Sequence, residues 1–283
     1  MSAAGRDTAR SHVITSIHNR RVAEAARLKK RAMREKDRLF LVEGVQGVLE
    51  ALRSPGVVRE IFYANDSESR LDAALRAAEE AGAAAHPVSQ EVMAHLTSTV
   101  TPQGLVAVAA FTEVSLRAIP KADRCAVVLV EVRDPGNAGT ILRSADAAGA
   151  DAVVFTRSSV DVYNAKAVRA SAGSIFHVPV VRGVDVAEAV TDLRASGRRV
   201  FGASADGRTS VYVANLADPI AVLFGNEAHG LPDEVRAMAD GSLRVPLHGT
   251  AESLNLAAAA TIVLFEAARQ RSVRRSGSLG ESR

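Results

Sequence analysis

The 283-residue sequence predicts an α/β protein made of two units. Three observations predict it. Short apolar runs alternate with helix-period segments along most of the chain. One polar stretch, residues 113–124 with Pro120, interrupts that alternation and reads as a linker. The length suits about two domains.

The elements follow in order. Residues 1–15 are expected to be disordered, and residues 18–36 to form a basic helix with Val22, Ala25, Ala26 and Met33 on its apolar side. Residues 40–43 form a strand, and Gly44 opens a helix through about Arg53. A strand over 57–63 precedes a helix from Ser67 to Glu80, with Gly82 near its end. Residues 86–88 are a short strand, Ser89 caps a helix over 90–95, and residues 105–111 close an α/β/α module spanning 16–112. Past the linker, taken as 113–123, strands are expected at 125–132, 151–155, 178–181, 199–204, 221–224 and 243–245. Helices are expected at 138–148, 164–172, 186–196, 233–239 and 253–270. This strand–helix alternation argues for a parallel sheet in a second domain over 124–271, followed by a disordered tail at 272–283.

Composition narrows the function. Hydrophobic residues at 47% and charged residues at 24% give a chain able to bury a normal core. A lone cysteine, Cys125, excludes an internal disulfide, and no Cys/His cluster has zinc-site spacing, so no metal is expected. With no apolar leader and no run near ~18 apolar residues, the expected location is the cytoplasm. Charge is uneven: residues 1–40 hold eleven Lys/Arg against four acids, a net of +7, so the other 243 residues carry −4. Such a segment is the footprint of a nucleic-acid contact or of a solvated helix face. Aromatics at 4% with no Trp point to backbone contacts rather than base stacking.

Three loops carry the chemistry: Asp134-Pro-Gly-Asn-Ala-Gly-Thr-Ile-Leu-Arg143, Gly225-Asn-Glu-Ala-His-Gly230, and Val245-Pro-Leu with Ser253-Leu-Asn-Leu256. Each follows a strand, where open α/β sheets bind ligands. They supply an arginine, a carboxylate, asparagines, a serine and glycines, an inventory suited to positioning a cofactor and a hydroxyl nucleophile. Gly136 and Gly139 lack the dinucleotide spacing, and Leu231-Pro232 stands where a P-loop needs Lys-Ser/Thr. No Gly-x-Ser-x-Gly elbow is present. Taken singly, Arg143 reads equally as a surface helix arginine, Glu227 as a turn acid, His229 as incidental, and Ser253 and Asn255 as caps.

In combination and order, these segments resemble the three motifs of the SpoU/TrmH family of S-adenosylmethionine-dependent RNA 2′-O-ribose methyltransferases. Residues 161–173 are similar to the family's intermediate segment. Phe40-Leu-Val-Glu-Gly44 and Thr101-Pro-Gln-Gly104 resemble its amino-terminal substrate-binding domain, related to the ribosomal L30e-type RNA-binding fold. The resemblance covers residues 18–271, with Ala228 standing where many relatives carry glycine.

The resemblance implies an L30e-like module followed by a trefoil-knotted SPOUT domain that dimerises through the knot. It implies S-adenosylmethionine held by Ser204, Leu223, Phe224, Gly225, Gly230, Val245, Leu247, Ser253 and Leu254. Arg143 is the expected key group at the ribose 2′-OH, with Asn137, Glu227, Ser253 and Asn255 orienting it, the ribose and the cofactor loop. Arg20, Arg21, Lys29, Lys30, Arg31 and Arg34 are the expected RNA contacts. Ribosomal RNA is the favoured substrate, because an L30e-like module suits structured RNA read by shape. Transfer RNA, a resistance-conferring methylation, and a non-catalytic RNA-binding or ribosome-assembly role stand as alternatives.

Overall fold

The computed structural model describes residues 12–64, 69–121 and 123–280 and divides the chain into two compact units, Met1–Phe111 and Thr112–Arg283. The first unit contains α1 (Arg20–Arg27), α2 (Arg31–Asp37), β1 (Leu39–Glu43), α3 (Val45–Leu52) and β2 (Val58–Ala64). It continues with α4 (Ser69–Glu80), β3 (Ala84–Val88), α5 (Gln90–Leu96) and β4 (Leu105–Ala110). Its four-stranded sheet runs β1-β4-β2-β3; β4 is antiparallel to both neighbours and β2–β3 is parallel. Alternation along β4 sends Val106 and Val108 into the core shared with Val22 and Leu28 of the α1 segment and with Val92, Met93 and Leu96 of α5.

Two expectations change here. The single helix over 18–36 is two helices, broken at Leu28-Lys29-Lys30. The break is held from below by Arg34, whose Nη1 donates to Leu28 O at 2.8 Å and Lys29 O at 2.9 Å. Residues 12–15 are not disordered: Ile14 bridges Val88 through Ile14 N to Pro87 O, 2.9 Å, and Ser89 N to Ile14 O, 3.0 Å. Residues 1–11 and Ser67 lie outside the described residues.

The second unit contains β5 (Cys125–Leu129), α6 (Pro135–Ala147), β6 (Ala152–Thr156), α7 (Ala165–Ser171), β7 (Val180–Val184), α8 (Val186–Ala195) and β8 (Arg199–Ala203). Then follow β9 (Thr209–Ser210), β10 (Ile220–Phe224), α9 (Asp233–Ala237), β11 (Gly241–Arg244) and α10 (Leu256–Gly280). The seven-stranded sheet has the order β7-β6-β5-β10-β8-β11-β9 and every pairing is parallel. Helices cover both faces, as a parallel sheet requires. One face packs Val128, Val154 and Leu223 against Val190 and Leu193 of α8 and Val235 of α9.

On the other side lie α6, α7 and α10. α6 and α7 pack closely because position 139 is glycine: a Cβ there would stand 2.2 Å from Ala167 O and 2.7 Å from Ala170 Cβ. Gly139 therefore serves helix packing. The tail expected to be disordered instead continues α10 through residues 272–280.

Because β10 sits between β5 and β8, and β11 beside β8, four consecutive sheet positions deliver their carboxyl-end loops to one edge. Those loops begin after Leu129, Phe224, Ala203 and Arg244.

Candidate active site

The first loop is fixed by a cap. Asp134 precedes Pro135 at the first helical position, and its Oδ1 accepts Asn137 N at 2.8 Å, so α6 starts three residues earlier than its apolar period suggests. Asn137 thus lies in the first helical turn, its side chain directed by the helix. On the other oxygen of Asp134, Lys166 Nζ of α7 donates at 2.6 Å. The Lys166 hydrogen bond, then that of Asn137 N–H, holds the Asp134 carboxyl below the usual carboxylate range.

Gly225 directly follows β10, where the chain folds back on itself. A Cβ at that position would stand 2.2 Å from Gly230 C and 2.3 Å from its O. Asn226 and Gly230 exchange backbone hydrogen bonds of 2.9 Å each way, and Gly230 has φ +68°. Asn226, which sequence reasoning passed over, organises this turn. Its Oδ1 accepts Ala228 N at 2.9 Å and its Nδ2 donates to Glu131 O at 3.0 Å. The usable signal was an asparagine directly after a strand-end glycine, the start of an Asx turn. Ala228 is not among the described non-glycine residues with positive φ (Arg38, Glu131 and Ala172), so its methyl group sits there without strain.

Glu227 is the hub. Its Oε2 accepts Arg133 N at 3.1 Å, and its Oε1 accepts Asp134 N at 3.0 Å and Asn137 Nδ2 at 3.1 Å. Burial acts to raise the Glu227 pKa, but the Asn137 amide and the two backbone N–H groups outweigh it and leave the carboxyl below its ordinary value. Asn137 Oδ1 in turn accepts Asn255 Nδ2 at 3.0 Å. Asn255 is the cap of α10, its Oδ1 accepting Ala257 N at 2.9 Å and Ala258 N at 3.3 Å; the helix begins at Leu256 rather than Ser253. The chain Glu227–Asn137–Asn255 ties all three loops together, and among the described residues each asparagine NH2 makes one of the two hydrogen bonds it can donate.

Beside this chain lies a cavity of about 410 Å³, within the range of small-molecule sites. Eight of the nine expected cofactor residues line it: Ser204, Phe224, Gly225, Gly230, Val245, Leu247, Ser253 and Leu254. Leu223 does not. It is fully buried in the core against α8 and α9, because successive strand residues face opposite sides of the sheet. Glu227 lines the cavity as well.

Arg143 is exposed on α6, does not line the cavity, and forms no hydrogen bond or ion pair among the described residues. Seven residues beyond Gly136, it stands roughly 10 Å further along the helix. A single chain therefore gathers Asn137, Glu227, Ser253 and Asn255 but leaves Arg143 apart. Among the described residues no group of three or more His, Cys, Asp or Glu is placed to hold a metal ion.

In the first unit, the six expected RNA contacts separate. Arg34 is 5% exposed and braces the α1–α2 break, which corrects its assignment to RNA. Lys29 Nζ donates to His95 O and, at 2.9 Å, to Thr97 O; burial lowers its pKa. Arg20 pairs with Glu24 at 2.9 Å and Arg21 with Glu60 at 3.5 Å, both at exposed heads worth little in stability. Lys30 and Arg31 are exposed.

The chain is similar to known proteins over nearly its whole length. Residues 124–265 match the SpoU rRNA Methylase family and residues 19–107 the MRM3-like substrate binding domain. The chain is 37% identical over 253 residues to the 23S rRNA (guanosine(2553)-2′-O)-methyltransferase RlmP of Bacillus subtilis, covering 89% of this chain and 97% of that protein. It is 34% identical over 276 residues to the 23S rRNA (uridine(2479)-2′-O)-methyltransferase of Streptomyces viridochromogenes, covering 94% and 95%. Among solved structures, the AdoMet-bound rRNA methyltransferase of Sinorhizobium meliloti superposes with a TM-score of 0.81 at 32% identity, covering 91% of this chain and 97% of that one.

Proposed function

Because the chain belongs to the SpoU rRNA methylase family, we propose that it transfers a methyl group from S-adenosylmethionine to a ribose 2′-hydroxyl of 23S ribosomal RNA. The observation that carries the reading is the Glu227–Asn137–Asn255 chain against a cavity bounded by loops from β8, β10 and β11. The RNA class is supported by the relatives that cover nearly the whole chain, both 23S rRNA 2′-O-methyltransferases.

The bound cofactor supplies an electrophilic sulfonium methyl. What this chain supplies is position. Val245, Leu247 and Leu254 offer an apolar wall for an adenine, and the Gly225–Gly230 turn offers backbone groups at close range. Asn137 and Asn255, each locked by its own hydrogen bonds, present fixed N–H donors to an incoming ribose. Arg143 holds the RNA phosphate so that the 2′-hydroxyl lies in line with the methyl. Lys30 and Arg31 add backbone contacts from the first unit.

Arg143 completes the site from a second copy of the chain. Its lack of a side-chain partner among the described residues and its absence from the lining of its own cavity support a homodimer whose protomers exchange this arginine. Phe265 supports it too: this ring is 49% exposed one turn along α10 from Thr261, which bonds Ser144 of α6 at 2.7 Å. The position of β10 between β5 and β8 in the sheet, though it follows β8 in sequence, supports the trefoil-knotted reading.

The test uses purified protein, methyl-labelled S-adenosylmethionine, and separated ribosomal and transfer RNA from a strain lacking the gene. Labelled 2′-O-methylnucleoside in ribosomal RNA, absent with Arg143→Ala, is the expected result. Label in transfer RNA alone would overturn the substrate, and normal turnover by Arg143→Ala would overturn its role.

A further inference from the structure

Four titratable side chains line the cavity: Asp206, Glu227, His229 and Arg236. Glu227 is committed to three donors from the first loop. His229 bonds only through its backbone N–H among the described residues. That leaves Asp206 and Arg236, of opposite sign. Asp206 Oδ1 accepts the Ser204 hydroxyl, and its Oδ2 meets Arg236 Nη1 at 3.4 Å, at the long limit of a hydrogen bond. Arg236 spends its Nε on Leu231 O at 3.1 Å. Neither charged head is saturated, and both reach solvent at the cavity wall, 74% and 41% exposed.

The walls can be allotted by chemistry. Leu243, Val245, Leu247, Leu254 and Val263 supply apolar lining, the match for an aromatic base. Glu227, bonded to Asn137 and through it to Asn255, marks the wall where the methyl must face the ribose. The charged pair that remains in the lining, Asp206 and Arg236, is one carboxylate and one guanidinium placed side by side. The part of the cofactor that remains is an amino acid, with one ammonium and one carboxylate. We propose that Asp206 and Arg236 are cofactor-binding residues for this zwitterionic end, Asp206 taking the α-ammonium and Arg236 the α-carboxylate. The hydrogen bond from Ser204, then the charge of Arg236, holds the Asp206 carboxyl below the usual range, so it is anionic at neutral pH. The assignment rests on the methyltransferase reading above.

The competing role is a brace, in which Arg236 only ties Leu231 to the loop of Asp206. Calorimetric titration of the full-length protein separates the two with a pair of ligands. S-adenosylhomocysteine carries the amino-acid end, and 5′-methylthioadenosine keeps the base and ribose but lacks it. Asp206→Asn and Arg236→Gln are each expected to weaken S-adenosylhomocysteine about tenfold, the scale of one charged hydrogen bond. Methylthioadenosine should change by no more than about twofold, and Arg236→Lys should restore part of the loss. Equal weakening of both ligands would establish the brace and overturn the proposal, as would no change in either. A wild-type protein that binds neither ligand would sink the methyltransferase reading itself, and the proposal with it.

Discussion

Removing the Glu227 carboxylate is the sharpest test of the three-loop arrangement. In Glu227→Ala three donors lose their acceptor: Arg133 N, Asp134 N and Asn137 Nδ2. Each exposed bond contributes about 1 kcal/mol net, because water replaces part of it, so the loss of loop order is about 2–3 kcal/mol. The Asn137 amide is then free to rotate, and Asn255 loses a fixed partner. At about 1.4 kcal/mol per decade, kcat should fall about 100-fold. The melting temperature should fall by only a few degrees, since the bonds join loops at the sheet edge and those loops can open without the core. Glu227→Gln keeps one acceptor oxygen and should retain more activity than Glu227→Ala. The pH dependence has a definite sign. A folded-state pKa below the ordinary glutamate value means that Glu227 contributes stability above that value and loses it as pH falls through the depressed one. The loops should therefore hold unchanged at neutral pH and loosen only in acid below about pH 4.5. Single-turnover methylation, S-adenosylhomocysteine affinity and thermal melting, measured together, decide the matter. Turnover within about threefold of wild type would refute the reasoning, and so would a loss fully explained by melting.

Four further outcomes follow from the structure. Gly225→Ala places a methyl 2.2 Å from the Gly230 backbone, so the turn must open; cofactor affinity measured by calorimetry should drop at least tenfold while α/β circular dichroism is retained. Arg34→Ala should lower thermal stability and leave the salt dependence of RNA binding unchanged, because Arg34 is a buried brace. Lys30→Gln with Arg31→Gln should do the reverse, reducing the slope of log affinity against log salt by about 2 in a filter-binding titration. Arg198→Met removes a fully buried guanidinium bonded to Asp151 at 2.6 Å and to Pro120 O at 3.1 Å. Stranding that carboxylate should cost about 3–5 kcal/mol in denaturant unfolding, and Arg198→Met combined with Asp151→Leu should recover much of it.

What the sequence disclosed, and what it hid, divides along physical lines. Strands such as Cys125–Leu129 and Ile220–Phe224 are buried on both faces, so they are unbroken apolar runs visible at a glance. Helix starts were misplaced where a side chain rather than the apolar period sets them. Asp134 and Pro135 looked like loop and are the cap and first turn of α6. Ser253 looked like the start of a helix that begins at Leu256, with Asn255 as the cap its residue type suggests. Charge was legible and burial was not, which is why Arg34 looked like a phosphate contact and is a brace. Strand alternation was legible only as a pattern, so Leu223 was grouped with Phe224 although one faces the core and the other the cavity. The geometry of the candidate site lies furthest from local reading. Asn137 is 90 residues from Glu227 and 118 from Asn255, and no spacing rule connects them. What joins them is strand order: β10 enters between β5 and β8, and only then do loops distant in sequence emerge side by side. Residue types in sequence order were enough to suggest a positioning chemistry. The hydrogen bonds among Glu227, Asn137 and Asn255 exist because of a topology that each segment, taken alone, does not encode.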